Sequence, residues 1–377
     1  MKSLLLFFIL VCPLVNAQSP TGNPVSKKYR AIQKFMDQAT RDNLSGVVVY
    51  ISHPAYGKWI GTSGYADVQN KERLQSDHIF SMGSIGKMYN AVAVLKLAEE
   101  GRLHLDDKIE AYVSSEIINN LPDAQTVTIR QLLAHTSGFA NYEADTELNR
   151  LYLSGQLKLD TLTHLNALRR YAFGKKALCK PGTEFHYSST NYVLLALIAD
   201  KVVPEGHTDY LRRLIRQQNF SNTYYRQTPP SRNIKYYGDI NLDGVPEDLT
   251  AQTFETTNWF IGDDGVYAPI EEAAVFLQKL ANGKILNATS WKEMTTWNNE
   301  KKPDYGLGLM ADKSFPYKFL LGHSGRGIGT TTDLYYFPNQ KITVAIFCNT
   351  GIRASAPKFK KSYLHLRTKI VKKLFLF

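Results

Sequence analysis

Strand-like and helical hydrophobic patterns follow one another along the chain. Near the N-terminus, an amphipathic pattern predicts a helix over residues 25–41, and two apolar runs at 46–52 and 58–62 predict a hairpin. Near the other end, four more segments have the β-branched and aromatic character of strands. They lie at 305–310, 318–322, 330–337 and 341–349. Helical patterns predominate in the chain between these two blocks.

The order of these elements indicates the fold class. Strands at both ends, with a mostly helical insert at about 100–260, predict an α+β fold in which the two chain ends complete one sheet. With 377 residues, 44% hydrophobic and 21% charged, the chain can bury a sizeable core, which excludes general disorder. No fixed repeat is evident, so solenoid and propeller folds are excluded as well.

The first residues have the composition of an export signal. A short cationic start precedes an apolar run over 3–15, and Ala17 ends a small-residue cleavage site, so residues 1–17 are predicted to be removed. The alternative is a lipoprotein signal using Cys12, but the residues before Cys12 lack the usual small side chain. Residues 18–377 are then expected to form one exported domain, periplasmic or secreted.

Charge and cysteine content leave the partner and the redox state open. The chain has 45 lysines and arginines against 34 aspartates and glutamates, and the net charge of +11 suits nucleic acid, anionic lipid or an acidic wall polymer. A basic amphipathic helix is predicted at about 356–374, either packed on the sheet or in peripheral contact with an anionic surface. Cys179 and Cys348 either pair or remain buried thiols.

Ser84 and Lys87 are the first residues that indicate a chemistry. They stand three positions apart at the start of a predicted helix that stops at Gly101, so their side chains share one face. A desolvated lysine with a lowered pKa can take the proton of a serine, and a helix N-terminus offers N–H groups to an oxyanion. Alone, this spacing also arises by chance in capped surface helices.

Three further motifs follow in order: His135-Thr-Ser-Gly138, Tyr187-Ser-Ser189 and His323-Ser-Gly325. With Ser84-x-x-Lys87, this ensemble resembles the serine β-lactamase and penicillin-binding protein superfamily, in particular its branch of class C β-lactamases, D-alanyl-D-alanine carboxypeptidases and esterases. The resemblance covers about 25–349. It implies a β-lactamase/transpeptidase-like fold, with an antiparallel sheet flanked by helices.

The resemblance also implies roles for the residues that match its motifs. Ser84 would be the acylated nucleophile, Lys87 its proton partner and Tyr187 the second acid or base. His323 would line the opposite side of the pocket and assist Tyr187 and the substrate through hydrogen bonds. Singly, each of these side chains would pass for an ordinary packed residue, and their joint presence supports the assignment.

The third motif further implies an oxyanion hole. Its donors would be the backbone N–H groups of Ser84 and Arg326, with Ser324 and Gly325 completing a substrate-binding edge strand. The Arg326 guanidinium is expected at the cleft edge, where its paired donors would hold a substrate carboxylate. The alternative for this side chain is a solvent-facing arginine.

Ser189 departs from the family pattern. Most members have asparagine as the third residue of the second motif, where it can donate to a substrate amide, whereas serine has a shorter reach and one donor. The sequence therefore predicts weaker recognition of penicillin-type amide side chains. Hydrolysis itself is not affected, because the nucleophile and both proton carriers remain.

Two other polar segments carry weaker signals. The glycine-rich segment 262–265 resembles one that precedes a helix in the family, which makes Asp263 or Asp264 a candidate for substrate contact. Residues 239–244 match the opening of a calcium loop, but its twelfth position is Thr250 instead of glutamate, which favours a polar turn. No metal or cofactor is expected.

Functions of three classes are compatible with these residues. The favoured one is an exported serine hydrolase that forms a Ser84 acyl-enzyme with a small peptide, amide or ester, such as a peptidoglycan-derived peptide. It would be of carboxypeptidase or esterase type. The alternatives are a penicillin-binding or sensor protein that acylates without turnover, and a wall-associated protein with a vestigial site. None of the three involves nucleic acid.

Overall fold

A central antiparallel sheet of eight strands contains segments from both ends of the chain. The computed structural model describes residues 24–159, 162–297, 304–312, 319–353 and 355–375. The predicted export signal at 1–17, with Cys12, lies outside the described residues.

The strands are β1 (Gly46–His53), β2 (Gly57–Asp67), β3 (Glu72–Arg73), β4 (Ile79–Ser81), β5 (Tyr224–Tyr225), β6 (Tyr237–Gly238), β7 (Glu247–Asp248), β8 (Val266–Pro269), β9 (Asp304–Tyr305), β10 (Met310–Asp312), β11 (Leu320–Arg326), β12 (Thr331–Phe337) and β13 (Ile342–Cys348). The helices are α1 (Pro24–Asp42), α2 (Gly86–Glu99), α3 (Ser115–Asn120), α4 (Ile129–Leu133), α5 (Thr146–Leu153), α6 (His164–Tyr171), α7 (Ser189–Val202), α8 (Gly206–Gln217), α9 (Thr250–Trp259), α10 (Ile270–Ala281), α11 (Ala288–Met294) and α12 (Pro357–Phe375).

The order of strands in the large sheet is β3-β2-β1-β13-β12-β11-β10-β9. The N-terminal strand β1 therefore lies beside the C-terminal strand β13, with Val47 opposite Cys348. Two smaller sheets, β4-β8-β5 and β6-β7, flank the large one. The predicted α+β fold, with one antiparallel sheet completed by both chain ends, is confirmed.

Helices cover both faces of the large sheet. Val47 and Val49 pack on one face in a cluster with residues of α1 and α12, whereas Val48 and Tyr50 point to the other face and join a larger cluster that includes α2 and α10. Successive side chains of a strand point to opposite faces, so a strand covered on both sides needs apolar residues at every position. This explains why β1 is continuously apolar.

The C-terminal strands differ from the sequence prediction in two places. Strand β11 runs to Arg326 instead of ending at Gly322, so it includes the whole third motif. Residues 305–310 were predicted as one strand, and this is wrong: β9 ends at Tyr305 and β10 begins at Met310. Gly308 adopts a φ of 76°, and Gly306 N donates to Leu309 O across the turn. A left-handed φ suits glycine and ends the strand, because side chains at other residues disfavour it. Lys318 lies outside the described residues.

The C-terminal helix α12 lies close to the predicted 356–374 and buries one apolar stripe, which includes Phe359, Leu366 and Ile370. Its opposite face carries exposed lysines. None of the described helices combines the length and the apolar character needed to cross a bilayer. Cys179 and Cys348 are both free thiols.

Candidate active site

Ser84 and Lys87 lie where a short 3₁₀ turn, Gly83–Ile85, leads into α2. The Lys87 side chain is fully buried, and its Nζ lies 3.3 Å from Ser84 Oγ. The same Nζ donates to the backbone carbonyl of Asp263 at 2.9 Å. The ammonium is thus held between the serine hydroxyl and a fixed acceptor, which orients both side chains of the first motif.

The protonation of Lys87 differs from the sequence expectation. Burial alone would lower its pKa, but Tyr187, Asp263 and Glu143 act in the opposite direction, and the net effect raises the pKa of Lys87 above its ordinary value. The expectation of a lowered lysine pKa is therefore wrong for this arrangement. Lys87 is a cation that donates to its neighbours, because the polar and acidic groups around it, Tyr187 first among them, offset the cost of burial.

Tyr187 lies in the segment just before α7, with its ring centroid 5.1 Å from Lys87 Nζ. Burial raises the pKa of Tyr187 above its ordinary value, because the opposing effects of the Lys87 cation and the Ser84 hydroxyl are smaller. The His135 ring packs against Tyr187 at 4.3 Å between centroids, and His135 Nδ1 accepts the N–H of Ser188 at 3.1 Å. Through these two contacts, His135 fixes the position of Tyr187.

Strand β11 forms the opposite wall. Gly327 N donates to Thr330 O, just before β12. Because hydrogen-bonded pairs alternate in an antiparallel ladder, the N–H of Arg326 points to the other edge of β11. Along the described residues, β10 pairs with that edge only as far as Gly322. A Cβ built on Gly83 would come within 3.0 Å of Arg326 N. The predicted oxyanion donor therefore lies on a free strand edge next to the Ser84 turn.

Gly325 is the residue that lets the two walls meet. A Cβ at this position would overlap Met82 O, directly before the Ser84 turn. Thr332 on the neighbouring strand donates its hydroxyl to the same carbonyl at 2.8 Å. The glycine of the third motif is thus required by close backbone approach.

The side chains of Arg326 and Ser324 point away from the site. Arg326 forms an ion pair with the fully buried Asp333 at 2.7 Å and donates to Thr332 O at 2.6 Å. Ser324 Oγ lies 2.8 Å from Tyr335 Oη. The expectation that the Arg326 guanidinium lies at the cleft edge to hold a carboxylate is therefore wrong, because strand alternation places this side chain on the α12 face of the sheet.

His323 is buried on the site face of β11 but does not hydrogen-bond to Tyr187. Its Nδ1 donates to Ser324 O at 2.7 Å, and its Nε2 accepts from Tyr305 Oη at 3.0 Å. Burial, together with the Lys87 cation, lowers the pKa of His323 to about 3. Both nitrogens of the neutral His323 ring are thus occupied, and the ring holds Tyr305, which packs against Tyr187 at 6.2 Å between ring centroids. The sequence did not single out Tyr305.

A group of acidic side chains, also missed in part by the sequence, surrounds Lys87. Burial alone would raise the pKa of Glu143, but Arg353 at 3.4 Å and Lys87 lower it, with contributions from Asp263 and the Ser189 hydroxyl. Burial raises the pKa of Asp263 well above its usual range. Two neighbouring carboxyl groups in a buried site rarely ionise together, so Glu143 carries the charge and Asp263 keeps the proton.

The signals for the missed residues were weak. Glu143 lies in the loop just after the His135 motif, and Tyr305 lies inside a segment with a strand pattern. Arg353 comes from the connection between β13 and α12. Only the folded chain pairs Glu143 with Arg353 and places Tyr305 against His323. Ser84, Lys87 and Tyr187, in contrast, belong to recognisable motifs.

Comparison with known proteins identifies the family. Residues 30–366 match the family model described as Beta-lactamase. The chain belongs to the beta-lactamase family. The chain is 26% identical over 308 residues to penicillin-binding protein 4* of Bacillus subtilis. This alignment covers 76% of this chain and 64% of that protein. It is 33% identical over 166 residues to protein flp of Staphylococcus aureus, covering 44% of this chain and 32% of flp.

Solved structures agree with this beta-lactamase fold. A D-stereospecific amidohydrolase from Streptomyces sp. superposes with a TM-score of 0.75 at 24% identity, over 88% of this chain and 97% of the other. A D-amino acid amidase from Ochrobactrum anthropi SV3 gives a TM-score of 0.77 at 22% identity, over 92% and 98%. The superfamily predicted from the motifs is confirmed, and it is a superfamily of serine hydrolases. The chain spans about a third of flp and less than two thirds of penicillin-binding protein 4*.

Proposed function

We propose that this chain is a hydrolase of small amides, peptides or esters, of amidase, carboxypeptidase or esterase type, that forms an acyl-enzyme on Ser84. The observation that carries the proposal is the placement of the buried Lys87 Nζ, 3.3 Å from Ser84 Oγ and 2.9 Å from Asp263 O. Opposite, the N–H of Arg326 faces the same turn from a free strand edge.

In the proposed mechanism, Tyr187 moves the protons. Burial outweighs the opposing effect of the Lys87 cation on the pKa of Tyr187, so Tyr187 is a neutral phenol that relays protons. As Ser84 Oγ bonds to the carbonyl carbon, the hydroxyl proton passes to Tyr187 Oη while the phenol gives its own proton to the leaving nitrogen or oxygen, whose bond to that carbon breaks. Water reacts with the acyl carbon in the same way and releases Ser84. The N–H groups of Ser84 and Arg326 stabilise the oxyanion.

A small apolar cavity lies next to this group. Its volume is about 20 Å³, which is room for about one water molecule and not for a substrate side chain, and Tyr142 and Glu143 line it. Tyr142 Oη donates to the Asp263 side chain at 3.1 Å, which links the cavity wall to the residue whose carbonyl holds Lys87. The choice of test compounds rests instead on the similar structures, among them a D-amino acid amidase. Amides and esters of amino acids such as phenylalanine, in both D and L forms, are the first compounds to test.

Acylation tests the proposal directly. The wild-type protein is expected to gain one adduct from a fluorophosphonate, located on Ser84 by mass spectrometry of peptides, and to turn over phenylalanine amide or p-nitrophenyl esters. Ser84→Ala should abolish both without changing the urea unfolding curve, since it removes only the nucleophile. Ser154→Ala, which changes an exposed serine on the end of α5, is the matched control and should behave as wild type.

The outcomes separate the functions. A permanent adduct with a plain ester would show that the protein is acylated without turnover, and would contradict the hydrolase proposal. Absence of any adduct on the folded protein would overturn the proposal in favour of a vestigial site.

Export is part of the proposed function. The cationic start, the apolar run over 3–15 and the small residue Ala17 support removal of residues 1–17. N-terminal sequencing of protein expressed in a bacterial host is expected to begin at Gln18. A chain that keeps Met1 and stays in the cytoplasm would contradict this part.

A further inference from the structure

Three carboxylates converge in the loop between β6 and β7, far along the chain from the catalytic motifs. They belong to Asp239, Asp243 and Glu247, and one ligand atom from each lies within 4.8 Å of the others. Asp239 is fully buried, whereas Asp243 is exposed and Glu247 is partly exposed. Three negative groups at this separation repel one another unless a cation lies between them.

One oxygen of this cluster lacks a partner within the protein. Asp239 Oδ2 accepts the N–H of Gly244 at 3.1 Å and the N–H of Ala356 at 3.0 Å. Asp239 Oδ1 is buried and accepts no hydrogen bond among the described residues. A buried carboxylate oxygen left unsatisfied is costly, so this atom indicates a ligand that the protein chain itself does not supply.

The protein offers little positive charge to compensate. In the part of the chain that the structure describes, no lysine or arginine forms a salt bridge with Asp239, Asp243 or Glu247. The nearest ammonium belongs to Lys358, whose Nζ would lie 2.9 Å from a Cβ built on Gly244. This ammonium lies beside the turn of the loop. The experiment must therefore distinguish charge compensation by Lys358 from compensation by a metal ion.

The chemistry of the donors selects the cation. All three side chains offer hard oxygen atoms, which suit Ca²⁺, with its six to eight ligands and flexible geometry, better than Zn²⁺. Asp239, Asn241 and Asp243 occupy the first, third and fifth positions of a calcium loop, and Gly244 occupies the sixth with a φ of 89°. Glutamate is missing from the twelfth position, but Glu247 at the ninth supplies the third carboxylate.

The geometry points to a Ca²⁺ site formed by Asp239, Asp243 and Glu247. Its effect on the fold follows from Asp239, which also accepts the N–H of Ala356 immediately before α12, while Asp239 N donates to Ser355 Oγ at 3.2 Å. A bound ion therefore fixes the loop against the segment that leads into the C-terminal helix. The segment 351–356 contains Arg353, the partner of Glu143 at the candidate active site.

Calorimetric titration of the full chain tests the site. After treatment with EDTA and desalting, CaCl₂ is expected to bind with one ion per chain and a dissociation constant of about 1 mM or below. Thermal unfolding should shift upward by several degrees when Ca²⁺ is added, because the ion binds only the folded loop. MgCl₂ at the same concentration should produce a smaller shift.

Asp243→Asn is the informative variant, since Asp243 is exposed and its loss does not leave a buried group unpaired. It should weaken Ca²⁺ binding by about tenfold or more and remove the thermal shift while retaining the melting temperature of the metal-free wild type. Asp239→Asn should also weaken Ca²⁺ binding and remove the thermal shift, but its metal-free form should melt at a lower temperature than the metal-free wild type. Asp209→Asn, an exposed carboxylate on α8, is the control and should bind Ca²⁺ as wild type does.

Two results would overturn the site. Absence of both heat and thermal shift in the wild type at about 5 mM CaCl₂, above the range of weak extracellular calcium modules, would assign the charge compensation to Lys358. An unchanged response in Asp243→Asn would show that Ca²⁺ binds elsewhere.

Discussion

Ser189 illustrates how one side chain can limit the substrate range. It is fully buried at the first turn of α7, its backbone N–H donates to Asn141 Oδ1 at 3.0 Å, and its hydroxyl has no hydrogen-bond partner among the described residues. A serine hydroxyl has a shorter reach and a single donor, so it does not replace the side-chain amide of the family asparagine. The acyl amide of a penicillin therefore loses a donor on this wall.

We predict that nitrocefin is hydrolysed more slowly than p-nitrophenyl esters. One missing hydrogen bond to a substrate amide costs about 1 kcal/mol, and more when its partner stays buried. Comparison of kcat/KM for the two substrates, with Ser84→Ala as the blank, measures the preference. Efficient nitrocefin turnover, above that of the esters, would refute the role given to Ser189.

Asp264 provides a pH-dependent contribution to stability. Its burial raises its pKa to about 7 in the folded chain, against about 3.9 for an unperturbed aspartate. Between these values the unfolded chain has lost a proton that the folded chain keeps. The free energy of unfolding therefore falls as the pH rises from about 4 to about 7, and this contribution is absent above that range.

Asp264→Asn is expected to flatten that decline. Urea unfolding midpoints of wild type and variant, measured between about pH 4.5 and 7.5, should diverge in favour of the variant as the pH rises. Asp209→Asn serves as control, because this carboxylate is exposed, and its curve should run parallel to wild type. Parallel curves for Asp264→Asn as well would contradict the assignment.

The residues of the candidate active site differ in how far the sequence alone indicates them. Ser84, Lys87 and Tyr187 belong to motifs whose spacing along the chain is itself a signal. Glu143 and Arg353 meet only in the fold, since they are 210 positions apart. The charge state of Lys87 depends on such neighbours, so a lysine pKa inferred from its motif alone had the wrong direction.

At the scale of elements, strand β11 is fixed by a buried network of charged and polar side chains on the α12 face of the sheet. Asp333 on β12 accepts from Arg326 at 2.7 Å, and Tyr363 of α12 donates to the same carboxylate at 2.9 Å. Arg367 of α12 lies 3.6 Å from it. These contacts fix strand β11 to the C-terminal helix. A substitution on the α12 face of the sheet therefore affects the candidate active site through the backbone of Arg326.

Arg326→Ala is predicted to cost stability and to reduce activity without substrate selectivity. Asp333 would keep only Arg367 as a cationic partner, and we expect a loss of about 2 kcal/mol, below the usual cost of breaking a buried pair because the Arg326 side chain is 26% exposed. Urea unfolding measures the loss, and kcat/KM for neutral and carboxylate-bearing esters should fall together. A rise in KM for the anionic ester alone would restore the carboxylate-binding role.

Arg169→Ala is the matched control for that variant. Arg169 of α6 forms an exposed ion pair with Glu116 of α3, and solvent screening leaves such pairs little effect on stability. Its activity and stability should therefore stay close to wild type.

The prediction of elements was most accurate where both faces of a strand are buried or where a helix has a clear apolar stripe. The strand predicted at 46–52, the last two strands and α12 all follow such patterns. The second strand of the hairpin, predicted at 58–62, extends over Gly57–Asp67 and is mostly half-buried. Residues 305–310 have the composition of a strand, but Gly306 and Gly308 fold them into a turn. Side-chain direction along β11 required the register with β12, which composition does not contain.

At the scale of the whole molecule, the excess of positive charge is partly concentrated on α12. Its apolar stripe is used for packing on the sheet, so only the lysine face remains for a partner. We predict that replacing Lys360, Lys361 and Lys372 by glutamine weakens sedimentation with phosphatidylserine-containing vesicles, at about 1 kcal/mol per lysine. Neutral vesicles should not bind either protein.

A control triple at Lys71, Lys108 and Lys175, which are exposed elsewhere, should retain vesicle binding. Equal losses in both triple variants would show that net charge, and not the helix, determines the affinity.

The position of β1 has a consequence for biogenesis. Its neighbour β13 is synthesised about 300 residues later, and pairing over such a separation is slow. Until β13 emerges from the ribosome, β1 has an unpaired edge and apolar side chains on both faces, which is a template for association with other chains. About 300 residues must therefore be synthesised after β1 before the central sheet can close. Products that terminate before β13 should be recovered as aggregates or bound to chaperones.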